Sequence, residues 1–277
     1  MRSIALACLL AACSSPSDDT TPATTLPTDV ASETNSTTWW RPDAHASWHI
    51  QLSGDVAATH AADVYDVDMT DTPTAIFAAI HARGAKLVCY FSAGSAEDWR
   101  DDVGDFPARA IGKELDGWPG ERWLDTRDDS VRQVLARRLD RAVQLGCDAV
   151  DPDNINGFEN DTGFALTRAD AASLVTWLAQ EGHARGLGVG LKNGGALAAD
   201  VATIMDFEVN EECLTYDECA ALAPFVSAGR AVLHIEYVAT EAAGPARLAT
   251  VCAAPSRAGF FSVVKRLELD AWGLSCP

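Results

Sequence analysis

Cys147-Asp148-Ala149-Val150-Asp151-Pro152-Asp153 is an apolar run of strand length that ends in carboxylates, and it lies between two helical patterns. Upstream, Ser130 with Gln133 forms a capping-box pattern ahead of Val131, Val134, Leu135 and Leu139, and Gly146 closes that segment. Downstream, Thr167 with Asp170 repeats the device ahead of Ala171, Leu174, Val175 and Leu178, and the pattern ends near Gly186. A strand set between two helices is the unit of an α/β protein, whose parallel strands are joined by right-handed crossovers.

The same alternation extends in both directions. Apolar runs recur at Trp48–Ser53, Val64–Met69, Lys86–Ser92, Cys147–Asp153, Leu187–Asn193, Asp206–Glu211, Ala231–Tyr237 and Phe260–Lys265. Thr72-Pro73 opens a helix whose buried stripe is Ile76, Phe77 and Ile80, and Gly84 follows it. Weaker helices are expected at Gly195–Ile204, Tyr216–Val226 and Pro245–Ala254. Eight such units fit a (β/α)8 TIM barrel, which takes about 250 residues. An open doubly wound sheet would carry G-x-G-x-x-G after a strand. Here Gly186-Leu187-Gly188-Val189-Gly190 enters a strand instead of leaving one, so the barrel is the expectation.

The chain of 277 residues is long enough to bury a sizeable core, and 48% hydrophobic residues exclude wholesale disorder. Lys and Arg total 21 against 40 Asp and Glu, a formal charge of −19. A field of that sign repels phosphate backbones, so no nucleic-acid partner is expected; it favours a neutral or cationic ligand. The apolar stretch Ile4–Ala12 is far short of the roughly 20 residues of a spanning helix. It follows Arg2 and ends in Leu10-Ala11-Ala12-Cys13, which reads as an export signal over residues 1–12. Its last four residues resemble a bacterial lipobox, which makes Cys13 the expected lipidation site and a lipid anchor the expected membrane contact. Residues 13–38 are rich in Ser, Thr, Pro, Asp and Ala and read as a linker. The folded domain is then 39–277, and a monomer is expected.

Export implies an oxidising compartment. Of the six later cysteines, Cys213 with Cys219 would staple one loop, and Cys252 with Cys276 would fasten the C-terminal tail. Cys89 and Cys147 sit on apolar runs and read as buried thiols. No C-x2-C pair is present, so neither zinc nor any cofactor is expected.

In a barrel the active site lies at the carboxyl ends of the strands. Nearly every run here ends in polar groups: Gln51, Asp66 and Asp68, Tyr90 and Ser92, Asp151 and Asp153, Lys192 and Asn193, Asn210 and Glu211, Glu236 and Tyr237. Helix capping explains single Asp or Asn residues in such loops, but not carboxylates placed within the apolar runs. Two carboxylates facing one cleft are the equipment of glycoside hydrolysis. The segment from Gly94 to about Asp129 is too long for a plain connection, and its Trp99, Trp118 and Trp123 suit a sugar-binding wall.

These blocks carry a resemblance. Tyr65-Asp66-Val67-Asp68, Val88-Cys89-Tyr90-Phe91-Ser92-Ala93-Gly94-Ser95, Leu115 to Asp125, Asp151-Pro152-Asp153-Asn154, Gly190-Leu191-Lys192-Asn193, Val209-Asn210-Glu211-Glu212-Cys213 and His234-Ile235-Glu236-Tyr237 resemble, in order, the endo-α-1,4-polygalactosaminidases of glycoside hydrolase family 114. The resemblance implies a TIM barrel that cuts an α-1,4-linked, galactosamine-rich polysaccharide of microbial biofilms internally. It implies Asp153, ending the fourth strand, and Glu211, ending the sixth, as the catalytic carboxylates. Asp153 is assigned as nucleophile and Glu211 as acid/base of a retaining mechanism. Asp66, Asp68, Tyr90, Lys192, Asn193, Glu236, Tyr237 and Trp118 are then candidate substrate-binding residues. The chain departs from the family at Asp151, where Glu is frequent, and at Glu212, where Gln is. Strand alternation is expected to leave only one of Glu211 and Glu212 facing the cleft. The acidic charge acquires a meaning as well, because a deacetylated galactosamine polymer is cationic and is steered toward it.

Two other readings compete. A metal-dependent polysaccharide deacetylase or hydrolase would need ligands beyond His45 and His49, which flank the first strand too far apart to share an ion. A non-catalytic glycan-binding lipoprotein on the same barrel would have no need of both Asp153 and Glu211.

Overall fold

The computed structural model describes residues 38–277. The export signal, Cys13 and all of the linker except Thr38 lie outside the described residues. Twelve strands are present: β1 (Trp48–Gln51), β2 (Val64–Asp68), β3 (Lys86–Ser92), β4 (Ser95–Glu97), β5 (Ile111–Glu114), β6 (Glu121–Leu124), β7 (Ala149–Asp153), β8 (Gly188–Lys192), β9 (Phe207–Glu211), β10 (Ala231–Tyr237), β11 (Phe260–Lys265) and β12 (Leu274–Ser275). Eight of them pair in parallel in chain order, β1-β2-β3-β7-β8-β9-β10-β11, and these are the eight expected runs, three with the expected bounds and five shortened by one or two residues. β12 adds to β11 in antiparallel sense. Among the described residues no ladder joins β1 to β11. The chain instead crosses that seam through the amides of Leu52 and Ser53, which donate to the Leu269 carbonyl at 2.8 and 3.2 Å. The result is a curled parallel sheet of the TIM-barrel kind.

Among the described residues six α-helices cover it: α1 (Thr74–Ala82), α2 (Asp129–Leu145), α3 (Arg168–Ala184), α4 (Ala198–Val201), α5 (Ala223–Ser227) and α6 (Gly244–Ala253). The Thr167–Asp170 capping box opens α3 as expected. At α2 the cap is Asp128, not Ser130. The Asp128 carboxylate accepts from the Ser130 amide, because a cap must stand ahead of the amides it satisfies. Gly146, at φ 82°, ends α2 in the left-handed conformation. The weak pattern at Gly195–Ile204 contracts to the single turn of α4, that at Tyr216–Val226 becomes a 3-10 turn (Cys219–Leu222) leading directly into α5, and no helix lies between β1 and β2.

Alternation along the strands divides two cores. Trp48, Ile50, Val64, Val88, Ala149, Phe207, Val209, Leu233, Ile235 and Val263 fill the inside of the curl. Tyr65, Val67, Leu87, Cys89, Val150, Val189 and Leu191 pack outward under the helices. The glycines before Lys192 are steric, since a Cβ on Gly190 would stand 2.5 Å from the Phe207 ring. The sequence expectation for Cys89 and Cys147 is corrected: they form a disulfide, beside Cys213–Cys219 and Cys252–Cys276. β3 and β7 are neighbours in the sheet, which brings Cys89 beside the residue entering β7, a proximity that neither apolar run reveals.

The long segment after β3 folds into an antiparallel sheet of its own, in the order β4-β6-β5. It rises at the carboxyl ends of the parallel strands and forms one wall of a cleft.

Candidate active site

The cleft, of about 540 Å³, lies over the carboxyl ends of β2, β3, β7, β8, β9 and β10. Asp153 and Glu211, the last residues of β7 and β9, both line it, as do Tyr90, Lys192, Asn193 and Tyr237. Trp99, Trp118 and Trp123 form the wall built by the inserted sheet, and Leu267 and Leu269 stand at the seam.

Asp153 is held at both oxygens. The Tyr90 hydroxyl donates to Oδ2 at 3.0 Å, and the Asn154 amide donates to Oδ1 at 2.7 Å. The second bond exists because Asn154 takes φ 60°, a left-handed corner that Asn tolerates. Glu211 is held in the same manner. Asn193 Nδ2 donates to one oxygen at 2.7 Å, the Tyr237 hydroxyl donates to the other, and the Glu211 amide donates back to Asn193 Oδ1 at 2.9 Å. Asn193, at φ 49°, is again a left-handed corner.

Lys192 lies between them, almost sealed from solvent at 1% exposure. Its ammonium is 3.7 Å from Asp151, 3.7 Å from Asp153 and 3.8 Å from Glu211. Two oxygens that close to one nitrogen are at most about 7.5 Å apart. This bound on their facing oxygens admits the retaining separation of about 5–5.5 Å. Burial pulls the Lys192 pKa down, but Asp153, Glu211, Asp151 and Asp66 outweigh it and the ammonium is held charged. Burial raises the Glu211 carboxyl, yet Lys192, Tyr237 and Asn193 together bring it below its usual range. Tyr90 and Tyr237 are pushed well up, by burial first and then by the neighbouring carboxylates, so both remain phenols that donate.

The remaining expected site residues divide. Trp118 is half exposed at the rim. Asp68 lines the cleft but is engaged by Arg100, at 3.1 and 2.6 Å. Asp66 shares the inner face with Asp151 below Lys192. It is fully buried and does not reach the cleft; burial, followed by the charge of Asp151, pushes its pKa well up. Asp151 is likewise pushed up, to about 7, by burial against the opposing pull of Lys192. Glu236 does not reach the cleft either. It alternates with Ile235 and Tyr237, so it points outward under the helices, where it binds His234, Thr215, Arg247 and the Leu214 amide. The expectation for Glu212 is corrected as well: both Glu211 and Glu212 line the cleft. β9 ends at Glu211 and Glu212 turns at φ 60°, so strand alternation does not extend to it.

Sequence reasoning missed Glu97 and Glu121, both on the inserted sheet and both in the cleft wall. The signal available was the alternation Glu121-Arg122-Trp123, which places Glu121 on the face of a tryptophan.

Hydrolysis of a glycosidic bond asks for two carboxyl groups within one sugar's reach and a surface on which the sugar can stack. A curled parallel sheet that offers both above its strand ends is that of a glycoside hydrolase. A family model described as Glycoside-hydrolase family GH114 matches residues 29–277, and the chain belongs to that family. A crystal structure of Aspergillus fumigatus Ega3, in complex with galactosamine, is 39% identical and superposes with a TM-score of 0.82 over 87% of this chain and 100% of that one. The glycoside hydrolase domain of PelA from Pseudomonas aeruginosa shares the fold, with a TM-score of 0.66 at 15% identity over 83% of this chain and 97% of that one. An uncharacterized protein of Deinococcus radiodurans is 27% identical over 97% of both chains. Membership of a hydrolase family sets aside the reading of a non-catalytic glycan binder.

Proposed function

We propose that the protein is an endo-acting hydrolase of α-1,4-linked, galactosamine-rich polysaccharide, with Asp153 as nucleophile and Glu211 as acid/base. The observation that carries the assignment is the pair of strand-end carboxylates gathered around one buried ammonium, each gripped by its own tyrosine. The substrate follows from the likeness to Ega3, whose crystals hold galactosamine.

Lys192, Tyr237 and Asn193 favour ionised Glu211, so the first step runs through the minor protonated form: an Asp153 oxygen attacks the anomeric carbon while protonated Glu211 gives its proton to the departing glycosidic oxygen. This leaves a glycosyl ester on Asp153 and a carboxylate at Glu211. In the second step Glu211 takes a proton from water, the hydroxide adds to the anomeric carbon, and the Asp153 carboxylate departs. Tyr90 and the Asn154 amide fix the attacking oxygen. Lys192 stabilises Asp153 when it is free and Glu211 when it is deprotonated. Three disulfides fit work outside the cytoplasm, and Cys13 is the proposed lipid anchor.

The test is digestion of partially deacetylated α-1,4-galactosaminoglycan by the full-length chain, with products followed by mass spectrometry. Internal fragments are expected from the wild type. Asp153→Asn and Glu211→Gln should each lose about 10³-fold in rate while the melting temperature stays level. A Glu211→Gln variant that cleaves at near-normal rate would transfer the acid role to Glu212. A wild type that leaves the polymer intact would remove the substrate assignment.

A further inference from the structure

The Lys192 ammonium sits among carboxylates without closing on any of them. Asp151 and Asp153 lie 3.7 Å from it and Glu211 lies 3.8 Å from it, whereas a charge-assisted hydrogen bond draws such partners to about 2.7–2.9 Å. The Tyr90 ring, 5.3 Å from the nitrogen, adds a weaker attraction on the β3 side. Two of the three carboxylates border the cleft, and Asp151 does not. It precedes Asp153 by two residues on β7, so it keeps the same face one step deeper in the curl. Asp66 on β2 is deeper again, in register with Val88 and Ala149. Both are fully buried, so the ammonium is drawn downward from within the curl as well as upward toward the cleft.

The two deep carboxyl groups have no partner among the described residues beyond one another. Two carboxylates in contact in a dry interior do not both ionise, so the pair holds one proton. Burial, followed by the charge of Asp151, pushes Asp66 well up, which leaves that proton on Asp66. Burial lifts Asp151 less, to about 7, because Lys192 opposes it. The charged groups that bear on the pair are Lys192 from β8, Asp153 from β7 and Glu211 from β9. Glu208, on the outer face of β9, is itself pushed well up by burial and adds no charge. Tyr90 faces from β3 as a phenol, Lys265 on β11 donates to the Asp270 carbonyl at 2.6 Å, and β1 and β10 bring Ile50 and Ile235 to the inside of the curl.

A cation placed midway has a use in a two-step displacement. In the first step negative charge passes from Asp153, which becomes an ester, to Glu211, which gives up its proton, and the second step returns it. An ammonium closed on Asp153 would blunt the nucleophile and be lost to Glu211. One closed on Glu211 would keep the acid from being protonated. We propose that the Asp66–Asp151 pair anchors the Lys192 ammonium midway between Asp153 and Glu211, so that a single charge serves both carboxylates in turn. Asp66 and Asp151 are then positioning residues, since neither reaches the cleft and their shared proton stays in place throughout the cycle. This rests on the catalytic roles given above to Asp153 and Glu211. The purely structural alternative is that the pair only fills the inside of the curl.

Two measurements on the full-length chain separate these. The first is a pair of crystal structures, of wild type and Asp151→Asn, and requires no cleavage. Without its anchor Lys192 should close to within about 3 Å of Asp153 or Glu211. An ammonium that keeps its wild-type distances in Asp151→Asn overturns the proposal. The second measurement is the pH profile of kcat/KM on α-1,4-galactosamine oligosaccharides. Loss of the Asp151 charge and approach of the ammonium both favour ionised carboxylates, so both limbs should move down by about one pH unit in Asp151→Asn, with a fall of about tenfold at pH 7. Asp151→Glu, which keeps the carboxyl, should restore most of this. A uniform loss in Asp151→Asn with both limbs in place overturns the proposal in favour of the structural role. A wild type that cleaves none of the oligosaccharides, while Lys192 shifts as expected in Asp151→Asn, would defeat the substrate assignment and leave the anchor intact.

Discussion

The curled sheet carries a buried carboxylate cluster on each face, and the two are built to opposite rules. Outside, Glu236 is saturated: the Leu214 amide and Thr215 donate at 2.8 Å, His234 lies at 2.9 Å with Ser262 behind it, and Arg247 closes the set. Against the upward push of burial, His234, Thr215 and the Leu214 amide bring its pKa down to about 2. Inside, the carboxyl oxygens of Asp66 and Asp151 have no partner among the described residues beyond one another, and Lys192 approaches three carboxylates without coming closer than 3.7 Å to any. The outer cluster resembles a catalytic triad in composition, Ser262-His234-Glu236, yet all three residues are fully buried and it fastens the sheet to its helices. Unspent electrostatic capacity, not composition, separates the cluster proposed for catalysis from the structural one.

The contrast can be broken in order of effect. Arg247→Ala strips the outer cluster of its cation and should lower stability by about 2–3 kcal/mol, with kcat per folded molecule unchanged. Because the Glu236 pKa is depressed in the fold, its contribution is present above the ordinary carboxyl range and fades as pH falls toward 2. Thermal unfolding of wild type and variant from pH 7 down to pH 2 should therefore converge, and a constant gap would refute the assignment. Asp151→Asn should do the reverse and stabilise the protein at pH 8 by about 1–2 kcal/mol. A carboxyl raised to about 7 contributes stability below its unfolded value and loses it as pH rises through 7, so the gain should vanish near pH 4. The smallest effect is expected from Tyr237→Phe. Removing a hydrogen bond that holds Glu211 ionised should move the alkaline limb of kcat/KM upward by about one pH unit. A limb that stays in place would take the acid role from Glu211.

These differences also mark what the sequence could disclose. Strands of the curl were legible because each is an apolar run bounded by turn residues, and Asp153, Glu211, Tyr90, Lys192, Asn193 and Tyr237 were legible as polar groups at or near the ends of such runs, the roles of Asp153 and Glu211 being implied by the family resemblance alone. Glu236 also ends a run, but one residue of alternation turned it to the outer face. Cys89–Cys147 and the Glu97–Glu121 opposition were hidden for a common reason. Both depend on which strands become neighbours, and pairing is a property of the folded sheet, not of either segment.

Asp153, Lys192 and Glu211 are each followed at once by a left-handed residue, Asn154 at φ 60°, Asn193 at φ 49° and Glu212 at φ 60°. The chain leaves the sheet at these three points by a fixed corner, so a loop that lengthens, shortens or changes its contacts beyond the corner exerts little leverage on the carboxylates beneath. Architecture of this kind is modular. The rim above β7, β8 and β9 can be exchanged for another, and with it the length and decoration of the glycan it admits, while the chemistry below is inherited unaltered.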